Sequence, residues 1–169
     1  MQNLKILNSK EIKIILNLIE KQWGAELKPN YAFLQNAKNR VFMVNKDISK
    51  INMETRENRR FSVSQKSKIS AKLRINSIGM YFCEVDKIGT RLSIEGSQIV
   101  GPKATKNIVE IDEEQAKKWL KGEDLDNIKG NHSGFAILKY NNIFLGTGRF
   151  KEGKILNYVG KERRISVEH

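Results

Sequence analysis

Apolar residues at Ile12, Ile15, Leu16, Ile19 and Trp23 recur every three or four positions between Asn8 and Gly24. That spacing gives a helix one buried stripe. Asn8 with Glu11 three residues on reads as a capping box, and Gly24 as the stop. After Pro29 the period shortens: Tyr31-Ala-Phe-Leu-Gln and Arg40-Val-Phe-Met-Val are apolar, aromatic runs separated by Asn36-Ala-Lys-Asn39, which predicts a hairpin. Further strands are predicted at 61–64, 72–75 and 80–85, with the polar stretches 53–60 and 65–68 as surface loops. Residues 91–100 read as a strand broken by Gly96, followed by a Gly101-Pro102 turn and a second strand at 108–111. Asp112 and Gln115 repeat the capping pattern, and Ala116, Trp119 and Leu120 give a short helix its apolar face before Gly122. Three strands then follow, 134–140, 143–150 and 154–159, with Asn141-Asn142 suited to a two-residue primed turn and Lys151-Glu-Gly153 forming the next.

The chain has 169 residues, of which 39% are hydrophobic, enough for one ordinary domain or two small ones. Val85-Asp-Lys-Ile-Gly89 closes the first group of strands and supplies a boundary. The predicted fold class is α+β: an N-terminal helix-plus-antiparallel-sheet domain over residues 1–89, then a second domain over 90–169. No apolar run approaches the roughly 20 residues of a membrane span, and Met-Gln-Asn-Leu-Lys does not open a secretory signal. A cytoplasmic protein with no membrane partner is expected. One cysteine, Cys83, with His132 and His169, makes neither an internal disulfide nor a Cys/His zinc cluster.

The formal net charge is +12, which points to a polyanion. Residues 1–90 hold 17 basic against 8 acidic side chains, and residues 91–169 hold 14 against 11. Arginine appears beside lysine at Arg56, Arg59, Arg60, Arg74, Arg149, Arg163 and Arg164. Guanidinium forks match phosphate oxygens bidentately, so nucleic acid is favoured over a lysine-solvated surface. The basic segments lack the helical period of a membrane-surface helix.

The order strand, Gly101-Pro102, strand, short helix ending Trp119-Leu-Lys-Gly-Glu-Asp-Leu125, then Gly134-Phe-Ala-Ile-Leu, Leu145-Gly-Thr-Gly-Arg and Ile155-Leu-Asn-Tyr-Val-Gly-Lys161 resembles a PUA domain, a small RNA-binding pseudo-barrel. Over residues 90–165 it is most similar to the PUA-like tail of the Sun-family RNA cytosine-5 methyltransferases, with Gly160 where those tails often carry Pro. In layout, residues 1–88 resemble the pre-PUA domain of the Nip-seven ribosome-biogenesis factors. The resemblance implies RNA contacts near the helix and the final strands, which here places Lys139, Arg149, Lys151, Lys154, Asn157, Lys161, Arg163 and Arg164 as RNA-binding candidates. The cations would hold phosphates. Asn157 would bond a base edge or ribose, or else cap a turn.

Gly146-Thr-Gly148 lies inside a strand meander and opens no helix, so it is not a dinucleotide loop; it reads as a place where another backbone, or an RNA backbone, approaches the strand. Phe135, Phe144, Trp119 and Trp23 are expected in the core, Tyr158 stays undecided between core and base stacking, and Cys83 is expected as a small buried hydrophobe. No nucleophile elbow, P-loop or metal-binding helix motif is present in the sequence. The expectation is a protein without catalytic residues or cofactors that binds RNA, ribosomal RNA first and tRNA second, in ribosome biogenesis or RNA modification. The alternative is an adaptor whose acidic segment around 112–120 and basic first domain dock a separate RNA methyltransferase or RNA-processing complex.

Overall fold

The computed structural model describes residues 4–46, 79–130 and 132–165. Helix α1, Ser9–Trp23, is capped as its sequence dictates: Asn8 Oδ1 accepts from the amides of Lys10 and Glu11, and the Glu11 carboxylate accepts from the Asn8 amide at 2.9 Å. Ile15, Ile19 and Trp23 are buried along one stripe. Gly24 ends the helix with φ 68°, against Thr105.

Strands β1 (Lys5–Ile6), β2 (Ala32–Gln35), β3 (Arg40–Val44), β4 (Met80–Asp86) and β5 (Gly89–Leu92) form an antiparallel sheet in chain order. Phe33, Val41, Met43, Cys83 and Leu92 pack with α1 in one hydrophobic cluster. Gly89, the boundary suggested by the sequence, opens β5, and this sheet runs on to Leu92. The strands expected at 61–64 and 72–75, and the loops at 53–60 and 65–68, lie outside the described residues.

Residues 94–100 differ from the sequence reading: they form helix α2, Ile94–Val100, rather than the continuation of a strand. Ser93 supplies the cap, its Oγ accepting from the Gly96 amide at 2.8 Å. The buried stripe of α2 is Gly96, Ser97 and Val100, and two small residues in it hide the helical period. Gly96 is small for cause, since a Cβ there would stand 2.1 Å from the Phe82 carbonyl oxygen.

A one-turn 3-10 segment, Gly101–Lys103, leads to the second sheet. Here β6 (Ile108–Glu110) lies parallel to β7 (Phe135–Tyr140), and β8 (Ile143–Lys151) and β9 (Lys154–Leu156) continue as an antiparallel meander. Helix α3, Glu113–Lys121, sits on the crossover from β6 to β7, which a parallel pair requires. Its cap is again a box, Asp112 with Gln115. The meander turns use left-handed residues at Asn141 (φ 51°) and at Glu152 and Gly153 (φ 51° and 78°), as primed turns demand. The sheet curls as a half-barrel, and the whole is α+β with a PUA-like pseudo-barrel.

The two faces of this second sheet serve two cores. Phe135, Ile137 and Phe144 join the cluster around Trp23, whereas Ala136, Leu138, Leu145 and Ile155 join a second cluster around Trp119. Trp119 donates its indole N–H to the Leu145 carbonyl at 2.7 Å. Gly148, read from sequence as a site of backbone approach, leaves room for side chains as well: a Cβ would meet Ile155 Cγ2 at 2.2 Å, Trp119 Cη2 at 2.7 Å and the Leu156 carbonyl oxygen at 2.9 Å.

The end of α1 ties the two sheets together. Trp23 donates its indole N–H to the Phe135 carbonyl at 3.1 Å. Gln22 bonds the Thr90 backbone both ways, Nε2 to its carbonyl at 2.9 Å and Oε1 from its amide at 3.1 Å. The helix's own last carbonyls are taken by residues beyond Gly101: the Thr105 amide bonds Trp23 O at 2.8 Å, and Asn107 Nδ2 bonds Gln22 O at 2.8 Å.

Trp23→Ala should therefore cost about 3–5 kcal/mol, with both sheets melting earlier in one transition when followed by circular dichroism in denaturant. Thr90 is 0% exposed and its Oγ1 has no hydrogen-bond partner among the described residues. Thr90→Val should raise stability by about 1 kcal/mol in the same measurement, because it removes a desolvated hydroxyl while keeping the shape.

Candidate nucleic-acid interface

The cations predicted from sequence fall into three places. Lys151 and Lys154 stand directly opposite each other across β8 and β9, and Arg149 two residues earlier faces Leu156. Like charges so placed repel. Asp126 relieves one of them, bonding Lys154 Nζ at 2.8 Å and holding that ammonium group above its usual pKa, chiefly through this hydrogen bond. Arg149 and Lys151 make no ion pair among the described residues. Lys139 lies at the other end of β7, bonded to Glu110 at 2.7 Å, and it holds that carboxylate below its usual range.

The remaining cations lie in the tail. Lys161 and Arg163 belong to a 3-10 turn, Lys161–Arg163. Arg163 pairs with Glu95 at the start of α2. Arg164 donates from Nε to the Val159 carbonyl at 3.1 Å and lies over Gly122, anchoring the tail on the end of α3. Asn157 has its side chain fully engaged by backbone: Nδ2 donates to Trp119 O at 2.8 Å and Glu123 O at 3.0 Å, and Oδ1 accepts from the Val159 amide at 2.7 Å. Of the two readings left open for Asn157, the fold uses the cap.

A second arrangement was not foreseen. Register places Arg40, Glu84 and Arg91 side by side across β3, β4 and β5, on the face turned away from Val41 and Cys83. Glu84 Oε2 accepts from Arg91 Nη2 at 2.8 Å and from Arg40 Nε at 3.3 Å. The Arg91 guanidinium lies 4.7 Å from the ring centre of Tyr158, and Arg40 lies 5.7 Å from that of Tyr81, both within cation–π range. Arg40, Tyr81 and Arg91, with Glu95 and the tail residues Tyr158, Gly160, Glu162 and Arg163, line a cleft of about 110 Å³ between the first sheet and the tail, and Glu84 lies behind its arginines. Part of this was encoded locally: the two-residue turn at Lys87 and Ile88 pairs Asp86 with Gly89 and so sets Glu84 opposite Arg91. A boundary drawn at Gly89 separates the two.

Burial, with the Glu84 charge next in weight, pushes the Tyr81 phenol from 10.0 up to about 12. The neutral phenol is thus a donor throughout the physiological range. Burial likewise pushes the Cys83 thiol far up, so Cys83 packs the core as an inert thiol. No group of acidic, histidine and cysteine side chains suited to a metal ion occurs among the described residues, and none of their helices is long and apolar enough to cross a membrane.

Tyr81 has its folded pKa raised, so its stabilising contribution is complete below pH 10 and is lost as pH climbs through about 12. Stability measured between pH 10 and 12 should accordingly fall less steeply in Tyr81→Phe than in the parent. Asn157→Ala should cost about 1–3 kcal/mol in urea melts, since it strips partners from three backbone groups.

Comparison with known proteins places these residues. Residues 106–165, from β6 to the tail, match the family model described as the Methyltransferase RsmF PUA domain. The ribosomal RNA small subunit methyltransferase F of Aeromonas salmonicida is 31% identical over 94 residues, which cover 56% of this chain and 20% of that protein. The protein of the same name from Vibrio cholerae is 26% identical over 90 residues, covering 53% and 19%. The chain thus spans about a fifth of the length of the curated relatives it matches. Its C-terminal part is a PUA-like domain resembling the tail of the Sun-family RNA cytosine-5 methyltransferases.

Proposed function

We propose that this protein is an RNA-binding unit that acts in the modification or maturation of ribosomal RNA, and that it carries no catalytic residue of its own. The observation that carries the reading is the match of residues 106–165 to a PUA domain of proteins named as ribosomal RNA methyltransferases. The placement of charge supports it. Arg149, Lys151 and Lys161 project without carboxylate partners among the described residues, on a chain of net charge +12, and phosphate contacts of this kind position RNA and supply affinity. The division into a pre-PUA-like part, 1–89, and a PUA-like part, 90–169, belongs to the same proposal, with the two parts sharing the core around Trp23.

The adaptor reading drew on the acidic segment 112–120. Within α3, however, Glu113 and Glu114 pair with Lys117 and Lys118 at 2.6 and 2.8 Å. That helix presents little uncompensated charge to a protein partner, so RNA is preferred.

A labelled small-subunit ribosomal RNA fragment should shift in a gel at physiological salt, with log affinity falling against log salt in proportion to the phosphates held. Replacing Arg149, Lys151 and Lys161 together by Ala should lower that slope by about 2, at roughly 0.7 per cation on a single strand, and leave thermal unfolding nearly unchanged. Lys154→Ala should do less, because Asp126 already engages that ammonium. An unchanged slope in the triple variant would place the phosphate contacts elsewhere, and no shift of the fragment would sink the RNA reading.

A further inference from the structure

We propose that the cleft between the first sheet and the tail is a receptor for one unstacked RNA base; this rests on the RNA-binding reading and adds a site to it. Size sets the first limit. At about 110 Å³ the cleft is well below the roughly 300–1,000 Å³ that enclose a drug-sized ligand or cofactor, so it takes one group of a larger molecule.

Charge sets the second. Arg40 and Arg91 share Glu84 just behind the lining, Arg163 bonds Glu95, and the Glu162 carboxylate stands on the rim. Three guanidinium groups against three carboxylates leave no excess to hold a phosphate, in contrast to Arg149 and Lys151 on the meander. The cleft therefore suits a neutral group that is flat and carries both donors and acceptors on its edge. A nucleobase has that chemistry.

The surfaces agree. Tyr158 is 38% exposed, with its hydroxyl unbonded among the described residues and Phe135 against it edge-on at 5.7 Å. Arg91 and Glu84 lock each other, so the guanidinium plane over Tyr158 is held in place rather than free to swing. An aromatic ring and a fixed guanidinium plane are the platforms on which unpaired bases stack. The carboxylates of Glu95 and Glu162 can accept from the N–H groups of a base edge, and the remaining N–H groups of Arg40 can donate to its ring nitrogens or carbonyl oxygens. The hydroxyls at the back are already spent: Ser93 Oγ bonds Tyr81 O at 2.5 Å and Thr147 Oγ1 bonds Leu92 O at 3.0 Å, which leaves recognition to the charged rim.

The test uses the full chain and RNA hairpins carrying a single bulged A, G, C or U, each compared with the same hairpin bearing an abasic site at the bulge. At least one bulged base should bind roughly 5- to 100-fold tighter than its abasic counterpart, the range expected for one stacked base. Tyr158→Ala should remove that preference while leaving abasic binding at its parent level, and Tyr158→Phe should retain it. If hairpins bind but base and abasic forms are equivalent for all four bases, the cleft is not a base receptor and the RNA reading stands. If the preference persists undiminished in folded Tyr158→Ala, the base sits elsewhere and the proposal is overturned. If no hairpin binds at all, the RNA reading falls and this site with it. The abasic comparison is made on the unaltered protein, so it holds even where Tyr158→Ala fails to fold.

Discussion

The closure of α1 on the second sheet is the constraint from which the rest of the structure follows. A helix ends with carbonyls that nothing inside it can satisfy, and here the amide of Thr105 and the side chain of Asn107 take those of Trp23 and Gln22. At the same turn the Gln22 amide closes against Thr90 at the end of the first sheet, and the Trp23 indole bonds Phe135 at the start of β7. One helical turn thus sets the position of both sheets. Everything placed between them, the cleft included, inherits its geometry from that turn.

The cleft and the meander divide the work of charge differently. On the meander, Lys151 and Lys154 face each other with one counter-ion between them, and the remaining positive charge has no partner among the described residues. At the cleft, Arg40, Glu84 and Arg91 alternate across neighbouring strands, and Glu95 and Glu162 set against Arg163 bring the charges level. An exposed ion pair adds little to stability. Its effect in the cleft is orientation: Glu84 receives two guanidinium groups at one oxygen and holds both planes against tyrosine rings. Behind the cleft, Arg164 and Asn157 bind backbone carbonyls and so anchor the tail that forms one of its walls.

What the sequence made legible was what depends on neighbours a few residues away. Both capping boxes, the stops at Gly24 and Gly122, the Asn141 turn and the three-strand meander are local chemistry, and they stand where the pattern placed them, except that the last strand ends at Leu156 rather than at Val159. The buried positions of Trp23, Trp119, Phe135 and Phe144 were legible for the same reason, as members of periodic runs. Helix α2 was not, because its buried stripe includes Gly96, whose small size answers to Phe82 across the core, and Ser97, whose hydroxyl accepts from the Gly146 amide. The part played by Asn157 was half legible, since its partners Trp119 and Glu123 lie on another element. The row Arg40, Glu84 and Arg91 needed two strand registers at once, only one of which a turn encodes.

The long reach of α1 bears on how the chain is made. Its final bonds span 68, 85 and 112 residues of sequence, so α1 leaves the ribosome long before those bonds can close. Contacts this distant slow folding, because the loops they close must be ordered before they are rewarded. A nascent chain interrupted before β7 leaves the Trp23 stripe covered by the first sheet alone, and arrival of Phe135, Ile137 and Phe144 completes its cover.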